Sequence, residues 1–233
     1  MDYHVPERLH HHLCEPVIVH SSTLPWTPSP QRGVERRFLE RDGGEVARAT
    51  SIVRYAPGSS FPEHVHHKGE EYLVLSGIFS DEHGDFAEGT YVRNPPGSRH
   101  APFTKGGCVI FVKLRQMRDT EQNGLVVQTQ SVDARPTEIE GLSRIALHCC
   151  ESGEQVAIEI LEPQAQWRDR GTLGGEEILV LAGSLLYGDE ECRTGTWVRF
   201  PSGREPSLES KAGCRLWTKR GHLRRNQLRA TAM

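Results

Sequence analysis

The stretch HVHHKGEEYLVLSG, residues 64–77, packs three histidines and two glutamates into eight positions ahead of a Leu- and Val-rich run. The second part of it recurs. Shifted by 106 residues, EEYLVLSG (70–77) falls on EEILVLAG (176–183), and GTYVRNPPG (89–97) on GTWVRFPSG (195–203). In the same register KGGC (105–108) falls on KAGC (211–214). No gap is needed between 57–108 and 163–214, where 17 of 52 positions are identical, so the chain is an internal duplication.

Each copy reads as short strands bounded by turns. RATSIVRYAPGS (48–59), EYLVLSGIFSD (71–81), GTYVRNPPGS (89–98) and GCVIFVKLRQM (107–117) are rich in β-branched and aromatic residues and stop at Pro or Gly. VAIEILEP, EILVLAGSLLYG, GTWVRFPSG and GCRLWTKRG repeat the pattern. Turn signals about every ten residues and the lack of long helical periodicity indicate an all-β sandwich or barrel in each copy. The expected organisation is an N-terminal arm at 1–30, a first barrel at 31–118, a connector at 119–138, a second barrel at 139–220 and a tail at 221–233.

The formal net charge is −3 and the pI about 6.5, a balance that gives no footing for a nucleic-acid partner. No window approaches the ~18 consecutive apolar residues of a membrane span. The opening MDYHVPERLHHHLCEP lacks the apolar core of a secretory signal, so a cytoplasmic location is expected. The six cysteines form no CxxC pair and read as free thiols. Cys108 and Cys214 match across the repeat and read as small buried strand residues rather than oxidant sensors.

The chemistry concentrates in the first copy. His64 and His66 are two apart and share one face of an extended chain. A turn at Lys68-Gly69 would let Glu70 start the next strand and lean back toward them. Glu70, Tyr72 and Val74 then share one face, and Glu71, Leu73 and Leu75 the other. His100, just past a Pro-Pro-Gly turn, is the candidate fourth ligand. Such a set suits Fe(II), Mn(II), Zn(II), Ni(II) or Cu(II), and ligand type alone does not choose among them. A polar, His-rich surface loop is the alternative reading. His67 has the wrong parity and His83 lies in an acidic turn, so both are expected to face solvent. His10-His11-His12 reads as part of a solvated arm.

With these residues in view the chain resembles the cupins. Gly58, His64, His66, Glu70 and Gly77 fit every spacing of the first cupin motif, G(x)5HxH(x)3–4E(x)6G. Gly89, Pro95, Gly97 and His100 fit the second, G(x)5PxGxxH(x)3N, up to its last position, where Thr104 replaces Asn. APGSSFPEHVHHKGEEYLVLSGIFSDEHGDF, GTYVRNPPGSRHAP and GGC are similar to the ChrR-like branch. The resemblance implies two fused cupin barrels of jelly-roll (double-stranded β-helix) type, with one divalent metal (Zn, Fe, Mn or Ni) on His64, His66, Glu70 and His100. It implies a stress-response regulator or sensor related to anti-sigma factors. The alternative is a non-haem Fe(II) dioxygenase like the acetylacetone-cleaving enzyme, acting on a dicarbonyl. Phe61, Tyr72, Tyr91, Arg93, Arg99 and Phe103 are candidate pocket residues; no general base stands out.

In the second copy His64 maps to Arg170, His66 to Thr172 and His100 to Pro206, and only Glu70 keeps its like, Glu176. That copy is expected to hold no metal, with Arg170 pairing Glu176 instead. The segment ahead of the first barrel carries one cysteine, Cys14, and no His/Cys zinc spacing, so a sigma-factor partner is not expected. A small-molecule ligand and self-association into a homodimer are the partner classes left open.

Overall fold

The computed structural model describes residues 5–168, 173–204 and 207–223. Apart from two short 3-10 turns, Ser21–Thr23 and Thr129–Ser131, the regular elements among them are strands. No helix among the described residues is long and apolar enough to cross a membrane. The chain divides into two units. Unit 1 is Leu24–Ser131 with the chain up to His11; unit 2 is His12–Thr23 with the chain from Val132 on.

In unit 1 the main antiparallel sheet runs Arg8–Leu9, Val34–Asp42, Arg48–Tyr55, Cys108–Leu114, Glu70–Asp81, Thr90–Asn94 and Leu125–Gln128. A two-stranded ladder, His64–Val65 with Arg99–His100, stands apart from it. Unit 2 repeats the main order with Arg135–Pro136, Leu142–Cys149, Gln155–Leu161, Cys214–Arg220, Glu176–Tyr187, Thr196–Phe200 and Val17–His20. Strand parity sorts the side chains. Tyr72, Val74, Val92, Ile110 and Val112 fill the core of unit 1, and Ile178, Val180, Val198, Leu216 and Trp167 that of unit 2. This is the double barrel that the strand pattern implied.

The last strand of each sheet lies in a segment the sequence reading set outside the barrels. VIVH (17–20), placed in the arm, pairs with Thr196–Phe200 of unit 2. LVVQ (125–128), placed in the connector, pairs with Thr90–Asn94 of unit 1. Both are β-branched runs, suited to covering an exposed sheet edge. Arg199 ties the first of them further, donating to the His12 carbonyl at 3.0 Å.

The repeated glycines have a steric cause. Gly77 and Gly183 both sit at φ 75°, where a Cβ would come within 2.2 Å of the Gly107 or Gly213 carbonyl oxygen. Gly97, at φ 85°, has open space around it. Gly97→Ala therefore carries only the left-handed cost of about 1 kcal/mol. Gly77→Ala adds a backbone collision and is expected to cost at least ~2 kcal/mol. Thermal denaturation of the two variants side by side checks that order.

Candidate metal centre

Three local devices bring the predicted residues of unit 1 together. The antiparallel ladder puts His64 directly opposite His100. The Pro-Pro-Gly turn clasps His66 on both sides: His66 N donates to the Ser98 carbonyl at 2.9 Å and Gly97 N to the His66 carbonyl at 2.8 Å. Gly69, at φ 69°, turns the chain with its N–H on the His66 carbonyl, and the long strand starts at Glu70. A Cβ on Gly69 would strike the Met117 side chain at 2.4 Å.

One ligand atom from each of His64, His66, Glu70 and His100 lies within 4.8 Å of the others. His64 Nε2 and His66 Nε2 are 3.3 Å apart, and Glu70 Oε2 is 3.4 Å from His66 Nε2 and 3.5 Å from His100 Nε2. Cis ligands of one shell with ~2.1 Å bonds stand about 3 Å apart, close to these spacings. His66, Glu70 and His100 are buried and His64 is half-exposed, so the cluster opens toward His64.

The ring tautomers follow from the outer contacts. His64 Nδ1 meets the Pro62 carbonyl at 3.0 Å and His100 Nδ1 meets Asp81 Oδ2 at 3.0 Å. A carbonyl or carboxylate can only accept, so both rings carry their proton on Nδ1. His66 Nδ1 faces Ser98 Oγ at 2.9 Å, and that hydroxyl gives its own proton to the Pro95 carbonyl at 2.6 Å. His66 Nδ1 is therefore the donor too. All three Nε2 lone pairs point inward, beside a carboxylate oxygen that Asn94 Nδ2 steadies at 3.1 Å. His100 Nε2 is buried with no hydrogen-bond partner among the described residues. Lone pairs facing one another at such spacing repel unless a cation lies between them, so the donor set fits a metal ion.

The electrostatics follow the same contacts. Burial lowers the His66 pKa, with Glu70 opposing. Burial acts the same way on His100, but the Asp81 hydrogen bond and the Glu70 charge outweigh it and raise that pKa. Asp81 itself is lowered: burial works against it, and hydrogen bonds from His100 and the His83 backbone prevail. Asp81 is held beside His100 because Ser80 and Phe103 exchange backbone hydrogen bonds of 2.9 and 2.8 Å.

The pocket candidates separate. Phe61 packs edge-on against His64 with centroids 5.3 Å apart, and Tyr72 shares the inward face with Glu70. Tyr91 and Arg93 do not join them. Val92 and Asn94 take the inward positions of that strand, so Tyr91 and Arg93 face the other way. There both donate to Glu71 Oε2, at 2.7 and 2.8 Å. Arg99, next to His100 and of opposite parity, is exposed. Phe103 contributes its backbone bridge to Ser80. Thr104, the departure from the second motif, donates to the Ile78 carbonyl at 2.7 Å and accepts from Gly107 N at 3.0 Å, so it stitches backbone. His67 and His83 are exposed. Cys108 and Cys214 are buried, and burial pushes the Cys108 thiol up to about 11, which suits an inert core residue. Asp81, Ser98 and Asn94 were missed by sequence reasoning, since nothing in their spacing marks them.

In unit 2, Arg170, Thr172 and Pro206 lie outside the described residues. The expected Arg170–Glu176 pair involves one of these residues; among the described residues, Arg220 Nε donates to Glu176 Oε1 at 2.7 Å. Arg220 Nη2 also reaches Glu159 Oε1 at 2.9 Å, and Arg144 Nε reaches the same oxygen at 2.8 Å. The Arg220 guanidinium stacks over Trp167 at 4.6 Å, and Tyr187 packs on Phe200 at 5.1 Å. These positions match Leu114, Val53, Phe61, Asp81 and Asn94 of unit 1, so a salt-bridged, aromatic filling stands where unit 1 has its donor set.

Fold and donor set together define a two-barrel cupin with a histidine–carboxylate cluster in one barrel. The chain belongs to the ChrR cupin-like family, whose model matches residues 15–118 and again 122–224. None of the curated proteins matches it. Among solved structures, the protein Ylba from Escherichia coli is 15% identical over 92% of this chain and 94% of its own, with a TM-score of 0.68. Bacterial pirin YhhW from E. coli, solved with nickel(II), is 9% identical over 88% and 98%, at 0.67. Salicylate 1,2-dioxygenase from Pseudoaminobacter salicylatoxidans is 14% identical over 96% and 85%, at 0.62. At such identities the likeness is one of fold.

Arg220 tests the reading of unit 2. Arg220→Met takes one cationic partner from each of two buried carboxylates, Glu159 and Glu176, and is expected to cost about 3–5 kcal/mol. Burial raises the Glu159 pKa, with Arg220 and Arg144 opposing. A raised carboxyl pKa means stability lost as pH rises through it, and removing Arg220 raises it further. The deficit of Arg220→Met should therefore be larger at pH ~8 than at pH ~5, measured by urea denaturation at both values.

Proposed function

We propose that unit 1 holds one divalent transition metal on His64, His66, Glu70 and His100, and that the centre is catalytic, of non-haem oxygenase type, acting on a small oxygen-chelating substrate such as a dicarbonyl. The observation that carries the reading is the convergence of three inward Nε2 lone pairs on one carboxylate oxygen, with the cluster open at His64. A closed structural zinc site fills its four positions with protein and presents no open face; a catalytic one keeps one. The solved relatives include a nickel-bound protein and a dioxygenase, which fits this class of chemistry. The regulator reading rests on the resemblance alone.

A bound ion would supply Lewis acidity toward substrate oxygens and, for iron or manganese, one-electron redox chemistry. The protein's own groups do the rest. The Asp81, Ser98 and Pro62 acceptors lock ring orientation and keep each Nε2 free to ligate. Phe61 walls the side of His64 and limits water there. The Tyr72 hydroxyl is buried with no hydrogen-bond partner among the described residues, and burial together with the Glu70 and Asp81 charges keeps it protonated. It is thus a ready hydrogen-bond donor on the Glu70 face.

Elemental analysis of anaerobically purified protein, reloaded with Fe(II), Mn(II) or Zn(II), is expected to find one ion per chain. His64→Ala and His100→Ala should lose it, His67→Ala should keep it, and Asp81→Asn should weaken affinity roughly 10- to 100-fold. Full metal content in the His64 and His100 variants contradicts the site. Oxygen uptake with β-dicarbonyls by the iron form then tests turnover, and a metal-loaded protein inert to the whole series contradicts the enzyme reading.

A further inference from the structure

The duplication supplies an internal control for one side chain that the metal centre leaves unexplained. Arg36 lies on Val34–Asp42 in register with Val53. Val34 and Val53 both belong to the unit 1 core, so strand parity turns Arg36 to the same inward face. Its counterpart in unit 2 is Arg144, in register with Glu159, to which it donates at 2.8 Å. Unit 1 has no acid at that position. Val53 stands in the place of Glu159, and Leu114 in the place of Arg220.

Arg36 is left half-buried with a guanidinium that makes no hydrogen bond or ion pair among the described residues. Its Cζ lies 6.0 Å from the centroid of Phe61, whose ring packs against His64 at 5.3 Å. Arg36, Phe61 and His64 are all partly exposed, while His66, Glu70 and His100 behind them are buried. The open side of the centre is therefore edged by a fixed cation.

A guanidinium stays charged in proteins, so desolvating it without a partner is costly, and a planar oxyanion relieves that cost bidentately. The charge balance agrees. Three neutral imidazoles and two carboxylates, Glu70 and Asp81, around a dication leave a neutral centre, and Arg36 makes its open side positive. Arg41 is close enough to feel the Arg36 charge and carries the same sign. Tyr55, facing Arg36, is kept neutral, chiefly by burial. Such a mouth attracts anions.

We propose that Arg36 is the carboxylate-binding subsite of unit 1, selecting a small anionic ligand whose carboxylate pairs with Arg36 while its chelating oxygens reach the centre formed by His64, His66, Glu70 and His100. The proposal rests on the metal reading above and narrows the substrate class from dicarbonyls at large to those with a carboxylate tail. In unit 2, Glu159 occupies the matching cation from within the protein.

The test uses the full chain loaded with Mn(II), its metal content measured first. Two probes are titrated calorimetrically: succinylacetone, a β-dicarbonyl with a tail carboxylate, and acetylacetone, its uncharged analogue. The wild type should bind succinylacetone more tightly. Arg36→Leu should weaken succinylacetone roughly 10- to 100-fold and leave acetylacetone and metal content unchanged. Val53→Glu, which restores the internal acid of unit 2, should produce the same selective loss; if it fails to fold, Arg36→Leu decides alone. The proposal is overturned if metal-loaded wild type shows no preference for the carboxylate probe, or if Arg36→Leu keeps that preference. A wild type that takes up no metal overturns the metal reading, and this proposal with it, before any probe is added.

Discussion

Three imidazoles can share one point only if something holds the far nitrogen of each. Here a proline carbonyl, a serine hydroxyl already committed as donor and a buried aspartate perform that task. Each fixes a tautomer and a ring angle at once. Much of the local architecture of unit 1 serves these holds. The Ser80–Phe103 bridge seats Asp81, the Pro-Pro-Gly turn seats Ser98, and the Gly69 turn sends Glu70 back to His66. Inward lone pairs without a cation are a cost, and that is the cost the proposed ion would offset.

The duplicate shows the other solution to the same barrel. The strand order, the glycines and the first carboxylate are kept, and the donor set is exchanged for paired charges and aromatic rings. Glu70 and Glu176 illustrate the change. In the first barrel the carboxylate faces two histidines, and in the second it faces Arg220. A buried carboxylate needs a positive partner in either case; in the second barrel it is an arginine, and in the first the proposed ion would take that place.

The repeat, the all-β pattern and the convergence of His64, His66, Glu70 and His100 were legible in the sequence, because strand parity and turn glycines leave a readable period. Other features were not. VIVH and LVVQ carry strand propensity but no sign of which sheet edge they complete. Tyr91 and Arg93 read as pocket candidates in the sequence; the alternation that places Val92 inward turns them to Glu71 instead. Arg220 went unread as a partner of Glu176 because a barrel closes through strands distant in sequence, which spacing along the chain does not report. Arg36 sits in the charged run VERRFLERD, where nothing in the spacing sets it apart. The signal was its parity with Val34 and the valine opposite it where the other copy has an acid, visible once the copies are aligned through the fold.

The most direct measurement is anomalous diffraction from a crystal of the full chain loaded with Mn(II). The central claim requires one strong peak among His64 Nε2, His66 Nε2, His100 Nε2 and a Glu70 oxygen, and none beside Glu176. A metal-loaded crystal with no peak at those four atoms, or with its peak in the second barrel, contradicts the account.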